Sequence, residues 1–292
     1  MSINAEQKAT LLVALSATLY GCLGYLGIQL LRLDFSIPAM LFWRFFIATL
    51  WMSFSVIKNF KKDKIKTHKR SDLIKAFLLG AICYGLGAAF YFLTSEITGT
   101  GLAMVLFFTY PMFVVVLTWL FDKHAISKPV MISLAIILVG LILLKGDGGV
   151  AISKLGILFA FIAALTYALY IYGNRHLAST VPTHYLTILV CAASALIFFI
   201  ISVTMHQFKW PTTGLAWIYI LAIGIFATAL PIQLLLEGLK HINPTKVAII
   251  SVLEPVVTLL VGITLLHETA SIMQLVGAAV ILLGAICIQL EK

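Results

Sequence analysis

Ten apolar blocks, each about as long as a bilayer core is thick, dominate this chain of 292 residues. They fall at 9–31, 38–57, 73–95, 99–121, 129–145, 155–174, 183–205, 214–237, 244–266 and 270–290. About twenty apolar residues in a helix cross a hydrocarbon layer. The expected fold is therefore all-α integral membrane, with ten transmembrane helices. Composition agrees: 62% of residues are hydrophobic, 11% are charged, and the mean hydropathy is +1.08. A soluble domain sits nearer 45–50% apolar and about 25% charged. The longest polar stretch is 58-KNFKKDKIKTHKRSD-72, which leaves no space for a large soluble domain. MSINAEQK at the start has none of the features of a cleaved secretory signal, so the first block is expected to be a retained span.

Lysine and arginine set the orientation. With the N-terminus inside, fifteen of the twenty fall in cytoplasmic segments. Only Arg32, Lys145, Lys154 and Lys209 fall on the other side, and Arg44 lies within a span. This positive-inside bias places both termini in the cytoplasm of a cell whose inner membrane holds the chain. The net charge of +9 is absorbed by those loops, so nucleic acid is not expected as a partner. Membrane lipid is. Cys22, Cys83, Cys191 and Cys287 all fall in apolar blocks, without metal-ligand spacing.

A second pattern lies under the first. At an offset of 144, Pro38 falls on Pro182, Gly80 on Gly224, Pro111 on Pro255 and Gly140 on Gly284. The segment 134-LAIILVGLILL-144 overlies 278-AAVILLGAICI-288. The chain thus divides into a first five-helix repeat, 1–145, and a second, 146–292. Five is odd, so the second copy enters the membrane from the opposite face. Two inverted repeats are an arrangement that many secondary transporters use, with the substrate near the midplane.

Three prolines, Pro111, Pro231 and Pro255, interrupt spans and are candidate hinges as well as candidate packing kinks. Pro255 is expected to free the carbonyl of Ser251, and Pro111 that of Phe107. Beside Pro255 stands Glu254, near the bilayer midplane, where a charge costs a few kcal/mol and usually faces the bundle interior. Ser251 and Thr258 share its helix face. Glu254 either lines a cavity, binding a cation or accepting a proton for coupling, or simply holds helices together. Arg44, in 41-LFWRFF-46, lies about 9 Å below the outer boundary. It either snorkels outward or pairs with an acid such as Glu254 or with a substrate carboxylate. Tyr20, Tyr91, Tyr110 and Tyr167 are candidate cavity walls suited to apolar or cationic groups. Gly21, Gly24 and Gly27 are expected to form a smooth packing face. Glu96, Glu237 and Glu268 fall near span ends, as interfacial residues do. No GxSxG, HExxH or P-loop sequence occurs, and no histidine has a metal-ligand spacing, so neither catalysis, a metal nor another cofactor is expected. No residue pattern specifies an oligomer.

These residues resemble a known family. Trp43-Arg44-Phe45 early in the second span, 253-LEPVVTLLVGITLLHE-268 and 275-LVGAAVILLGAI-286 are similar to EamA-type transporters of the drug/metabolite transporter superfamily. The similarity covers essentially the whole chain. Its most specific parts are the spacing from Pro255 to Glu268 and the pair Gly277 and Gly284. It departs at His124, where the family usually has glutamate, and at Tyr20-Gly21, where tryptophan-glycine is common. Tyr110, not an acid, corresponds to Glu254, and the His124–Glu268 pair is read as capping helices. The resemblance implies a carrier of a small metabolite, often an exporter of amino acids or related compounds. It also implies a central cavity lined by spans one, three, four, six, eight and nine. Uptake of a cationic or quaternary amine is the alternative, with a channel behind it.

Overall fold

The structure is a computed structural model that describes residues 4–59, 69–98, 100–123, 125–144, 153–265 and 270–287. Among them every regular element is helical. The first segment is two helices, α1 (Ala5–Tyr20) and α2 (Leu23–Arg32), separated by a turn at Gly21 and Cys22. Next come α3 (Ile37–Asn59), α4 (Arg70–Leu78) and α5 (Leu86–Thr98), with a π-helical stretch at Leu79–Gly85 between the last two. The fourth segment is again double, α6 (Thr100–Phe107) and α7 (Tyr110–Asp122), and α8 (Lys128–Leu144) follows. The remainder is α9 (Lys154–Thr180), α10 (Thr183–Thr204), α11 (Gly214–Gly224), a π-helical stretch at Ile225–Ala229, and α12 (Leu230–Gly238). It closes with α13 (Pro244–Ile250), α14 (Leu253–Leu265) and α15 (Ile272–Cys287).

Among the described residues, eight segments are long and apolar enough to cross a membrane. They are Ala5–Arg32, Ile37–Phe54, Arg70–Thr98, Leu102–Asp122, Lys154–Thr180, Thr183–Thr204, Gly214–Gly238 and Pro244–Leu265. Two further apolar helices, α8 and α15, are shorter. Each borders residues outside the described set. The basic run 60–68 also lies outside it, as do His124, Lys145, Glu268 and Lys292.

Glycines decide which helices touch. The most extensive pairing is α8 on α15. A Cβ on Gly140 would sit 2.7 Å from Ile281 Cγ1 and 2.9 Å from the Gly277 carbonyl. A Cβ on Gly284 would sit 2.7 Å from Ile137 Cγ1 and 3.1 Å from the Ser133 carbonyl. Small residues at such a seam let two backbones approach where lipid offers no hydrophobic drive. Gly80, in the first π stretch, lies against the Val190 backbone of α10, and Gly224, at the end of α11, against Ile47 and the Arg44 carbonyl of α3.

Helix ends are tied across the chain. Lys246 Nζ pairs with Glu6 Oε1 at 2.7 Å, and Arg175 pairs with Asp122. Elsewhere, Lys209 Nζ donates to the Leu33 carbonyl at 2.8 Å and Trp43 Nε1 to the Lys209 carbonyl at 2.9 Å. Exposed side chains such as Phe54, Ile142 and Ile218 are apolar, as a face meeting lipid requires.

Candidate functional site

The site is built where helices break. Asn243 caps α13, its Oδ1 accepting the Lys246 N–H at 2.7 Å, with Pro244 as the first helical residue. The helix stops at Ile250. Ser251 N–H and its hydroxyl both donate to the Val247 carbonyl, at 3.0 and 2.9 Å. Glu254 N–H then donates to the Ser251 carbonyl at 3.1 Å. The expectation of a free carbonyl at Ser251 is therefore corrected: a tight turn satisfies it. Pro255 falls in the first turn of α14, where its missing N–H would have had no intrahelical partner. Glu254 stands beside it at the positive end of the helix dipole. Glu254 and Pro255 are thus helix-start residues, placed midway along the segment Pro244–Leu265 because α14 starts there. Pro111 plays the same part in α7, after the turn at Phe108 and Thr109. Pro231 differs, since it opens α12 directly after a π stretch and its carbonyl accepts from Ser16 at 2.7 Å.

The break between α1 and α2 docks on the Glu254 turn. A Cβ on Gly21 would lie 2.5 Å from Val257 Cγ1 and 3.2 Å from the Glu254 carbonyl. Thr258 Oγ1 donates to the Gly21 carbonyl at 3.1 Å. The expected smooth face of Gly21, Gly24 and Gly27 is corrected by this turn. Gly21 meets Val257 closely, Gly24 only grazes Thr258, and Gly27 faces Phe92 and Met40.

Around this junction lies a cavity of about 50 Å³, lined by Tyr20, Arg44, Tyr84, Tyr91, Tyr167 and Glu254 among others. That is space for a few waters. Arg44, only 2% exposed, does not snorkel. Its Nε donates to Thr228 Oγ1 at 2.7 Å and its Nη2 to the Tyr84 hydroxyl at 3.1 Å. Tyr84 in turn shares a hydrogen bond with Tyr20 at 3.0 Å. Among the described residues, Arg44 Nη1 has no hydrogen bond and no salt bridge joins Arg44 to Glu254. Arg44, fully buried, and Glu254, partly buried, therefore line one small cavity.

Tyr20, Tyr91, Tyr167, Glu254 and Arg44 are thus brought together. Tyr110 and Ser251 are not on that wall. Tyr110 stands behind it, edge-on to Tyr167 at 4.8 Å, with its hydroxyl donating to the Ala248 carbonyl at 3.3 Å. Ser251 is buried in the turn. Two residues that sequence reasoning missed hold the guanidinium, Tyr84 and Thr228. Each is on a π-helical stretch, and Thr228 Oγ1 donates to the Ile223 carbonyl five residues back at 2.7 Å. Such stretches recur at functional sites. The coincidence of Gly80 with Gly224 was the signal that could have found them.

A second cavity, about 320 Å³, shares Tyr91 and Phe92 with the first. Tyr25, Glu96, Thr258 and Gln274 also line it, at the end of the bundle where α2 and α5 finish and α15 begins. Glu237 lies elsewhere, accepting from Thr183 and Lys240, each at 2.7 Å. Among the described residues no group of three His, Cys, Asp or Glu is placed to hold a metal.

Comparison with known proteins places these features in a class. The model of the EamA-like transporter family matches residues 7–145 and again 154–290. A helical membrane transporter is the class that fold and family define. The chain belongs to the EamA-like transporter family. It is 24% identical over 253 residues to the uncharacterized transporter YcbK of Bacillus subtilis (strain 168), covering 82% of this chain and 79% of that one. It is 23% identical over 289 residues to the uncharacterized transporter YxxF of the same organism, covering 97% and 90%. An uncharacterized transporter of Archaeoglobus fulgidus is 26% identical over 212 residues, covering 72% and 74%. A solved crystal structure superposes with a TM-score of 0.80 at 18% identity, over 97% of this chain and 98% of that chain. The likeness is one of fold.

Proposed function

We propose that this chain is a secondary carrier that exports a small zwitterionic metabolite, an amino acid or a related compound, across the cytoplasmic membrane. The observation that carries the reading is Arg44 and Glu254 lining one cavity from the two halves of the chain. A free guanidinium edge suits a carboxylate and a carboxylate suits an ammonium, while Tyr20, Tyr91 and Tyr167 supply the rest of the wall. About 50 Å³ is too small for such a substrate, so entry requires the walls to part. The larger cavity beyond Tyr91 and Phe92 is the exit vestibule in this reading. Alternating access is the mechanism that a site too small for its substrate calls for.

The proposed membrane topology is ten spans, the eight long segments with α8 and α15, as two inverted repeats with cytoplasmic termini. Support for the repeats comes from contacts that exchange at an offset of 144. Gly140 meets Ile281 as Gly284 meets Ile137, and the turn at Phe108 and Thr109 overlaps, within one residue, that at Ser251 and Val252. Support for the orientation remains the lysine and arginine bias of the loops.

Uptake of an organic cation is a second reading, favoured by one feature: Glu96 in an aromatic-walled vestibule that, among the described residues, has no lysine or arginine. A thermal-shift screen of the purified chain separates the two. Amino acids should raise the melting temperature of the wild type and not of Arg44→Gln. Stabilisation by polyamines or quaternary amines alone would favour the second reading and remove the first.

A further inference from the structure

A groove on the outside of the bundle has no part in the transport reading. It holds about 560 Å³ between the stretch 72–83 and the end of α9, at residues 173–180. Its lining is polar at Asp72, Lys75 and His176 and apolar at Leu79, Ile82 and Leu177. Lys69 and Arg70, both exposed, precede Asp72 at the start of α4. Among the described residues of this stretch, Lys69, Arg70 and Lys75 outnumber Asp72, so it favours a negative group.

The dimensions select the occupant. From Asp72 to Cys83 the wall runs roughly 16 Å at helical rise, close to one leaflet of a hydrocarbon core about 30 Å thick. Gly173 fits the floor, since a Cβ there would lie 2.9 Å from both methyl carbons of Leu79. Ile82 is half exposed along the groove. Polar lining beside apolar lining, along a wall of one leaflet's length, matches a headgroup and its acyl chain. We infer that this groove binds one anionic phospholipid, with its phosphate at Lys75 and His176 and an acyl chain along Leu79 and Ile82. A glycerol headgroup would add hydroxyl donors for Asp72. Basic pockets between spanning helices commonly take such headgroups. The chain lies along the outer side of the π stretch whose Tyr84 binds Arg44, so the lipid braces the element that holds the cavity's guanidinium.

The test is native mass spectrometry of the full chain in detergent, titrated with phosphatidylglycerol, phosphatidylethanolamine or phosphatidylcholine. The wild type is expected to retain one phosphatidylglycerol per chain in preference to the other two. Lys75→Glu reverses the charge at an exposed position, and Ile82→Trp fills the apolar part of the groove. Each is expected to lower phosphatidylglycerol affinity at least about tenfold, and inorganic phosphate is not expected to displace the lipid. Equal retention of all three lipids, or unchanged affinity in both variants, would overturn the inference. Displacement by phosphate alone would also overturn it, since that marks a free-anion site.

Discussion

Arg44 donates its Nε–H to the hydroxyl of Thr228 at 2.7 Å, joining residues 184 positions apart. Tyr84, which takes Nη2, stands 144 positions before Thr228, on the other π-helical stretch. One cation is therefore held by two positions 144 apart, one on each π-helical stretch. A buried charge needs such partners, since leaving it unsatisfied would cost several kcal/mol. Lysine keeps the charge and cannot reproduce the planar fork. Arg44→Lys is expected to lower kcat/KM about tenfold through the loss of a charge-assisted bond. Arg44→Gln should lower it further. Flux measurements in proteoliposomes check both.

Glu254 has a different standing. Among the described residues its carboxyl group takes no hydrogen bond, so no such bond is lost when it is replaced. Glu254→Gln keeps the shape and removes the charge. The melting temperature should stay within about 2 °C, as for changes outside packing and hydrogen-bond networks, while transport falls at least about tenfold. Unchanged kinetics in a folded variant would remove the role assigned to this residue.

The Gly21 junction makes a sharp contrast available on one segment. Gly21→Ala places a methyl group 2.5 Å from Val257 Cγ1, against a helix already fixed by the Thr258 bond. It is expected to cost about 1–3 kcal/mol, as overpacking does, and to impair transport. Gly24→Ala meets only Thr258 Cγ2 at 3.9 Å. It should be neutral, or stabilising by up to about 1 kcal/mol from helix propensity. Thermal melts of the pair decide.

The seam between α8 and α15 tests the exchange of contacts. Gly140 and Gly284 face reciprocal isoleucines, each at 2.7 Å from the position a Cβ would take. Alanine at either glycine is expected to destabilise by a similar amount, about 1–3 kcal/mol. A large loss at one and none at the other would show that the two contacts are not equivalent.

Much of this was legible beforehand. Hydropathy located the segments within a few residues, because burial in lipid imposes a simple length rule; α9 overran its expected end and reaches Thr180. Pro111 and Pro255 marked their breaks because proline acts locally. The break at Gly21 and Cys22 was hidden, since glycine inside an apolar run also signals mere packing. The π stretches were hidden for a deeper reason. Their extra residue per turn is stabilised by tertiary partners, Arg44 for Thr228 and Tyr84, and Val190 for Gly80. Tyr110 was placed on the cavity wall from its aromatic character and its span, and neither says which way a ring points.

The most direct measurement is accelerated counterflow in proteoliposomes loaded with unlabelled amino acids. Wild type should show saturable uptake of a labelled amino acid that rises when the interior is loaded, with that rise lost in both Arg44→Gln and Glu254→Gln, the second at an unchanged melting temperature. Flux indifferent to interior loading, or wild-type counterflow in both variants, would contradict a carrier working from this cavity.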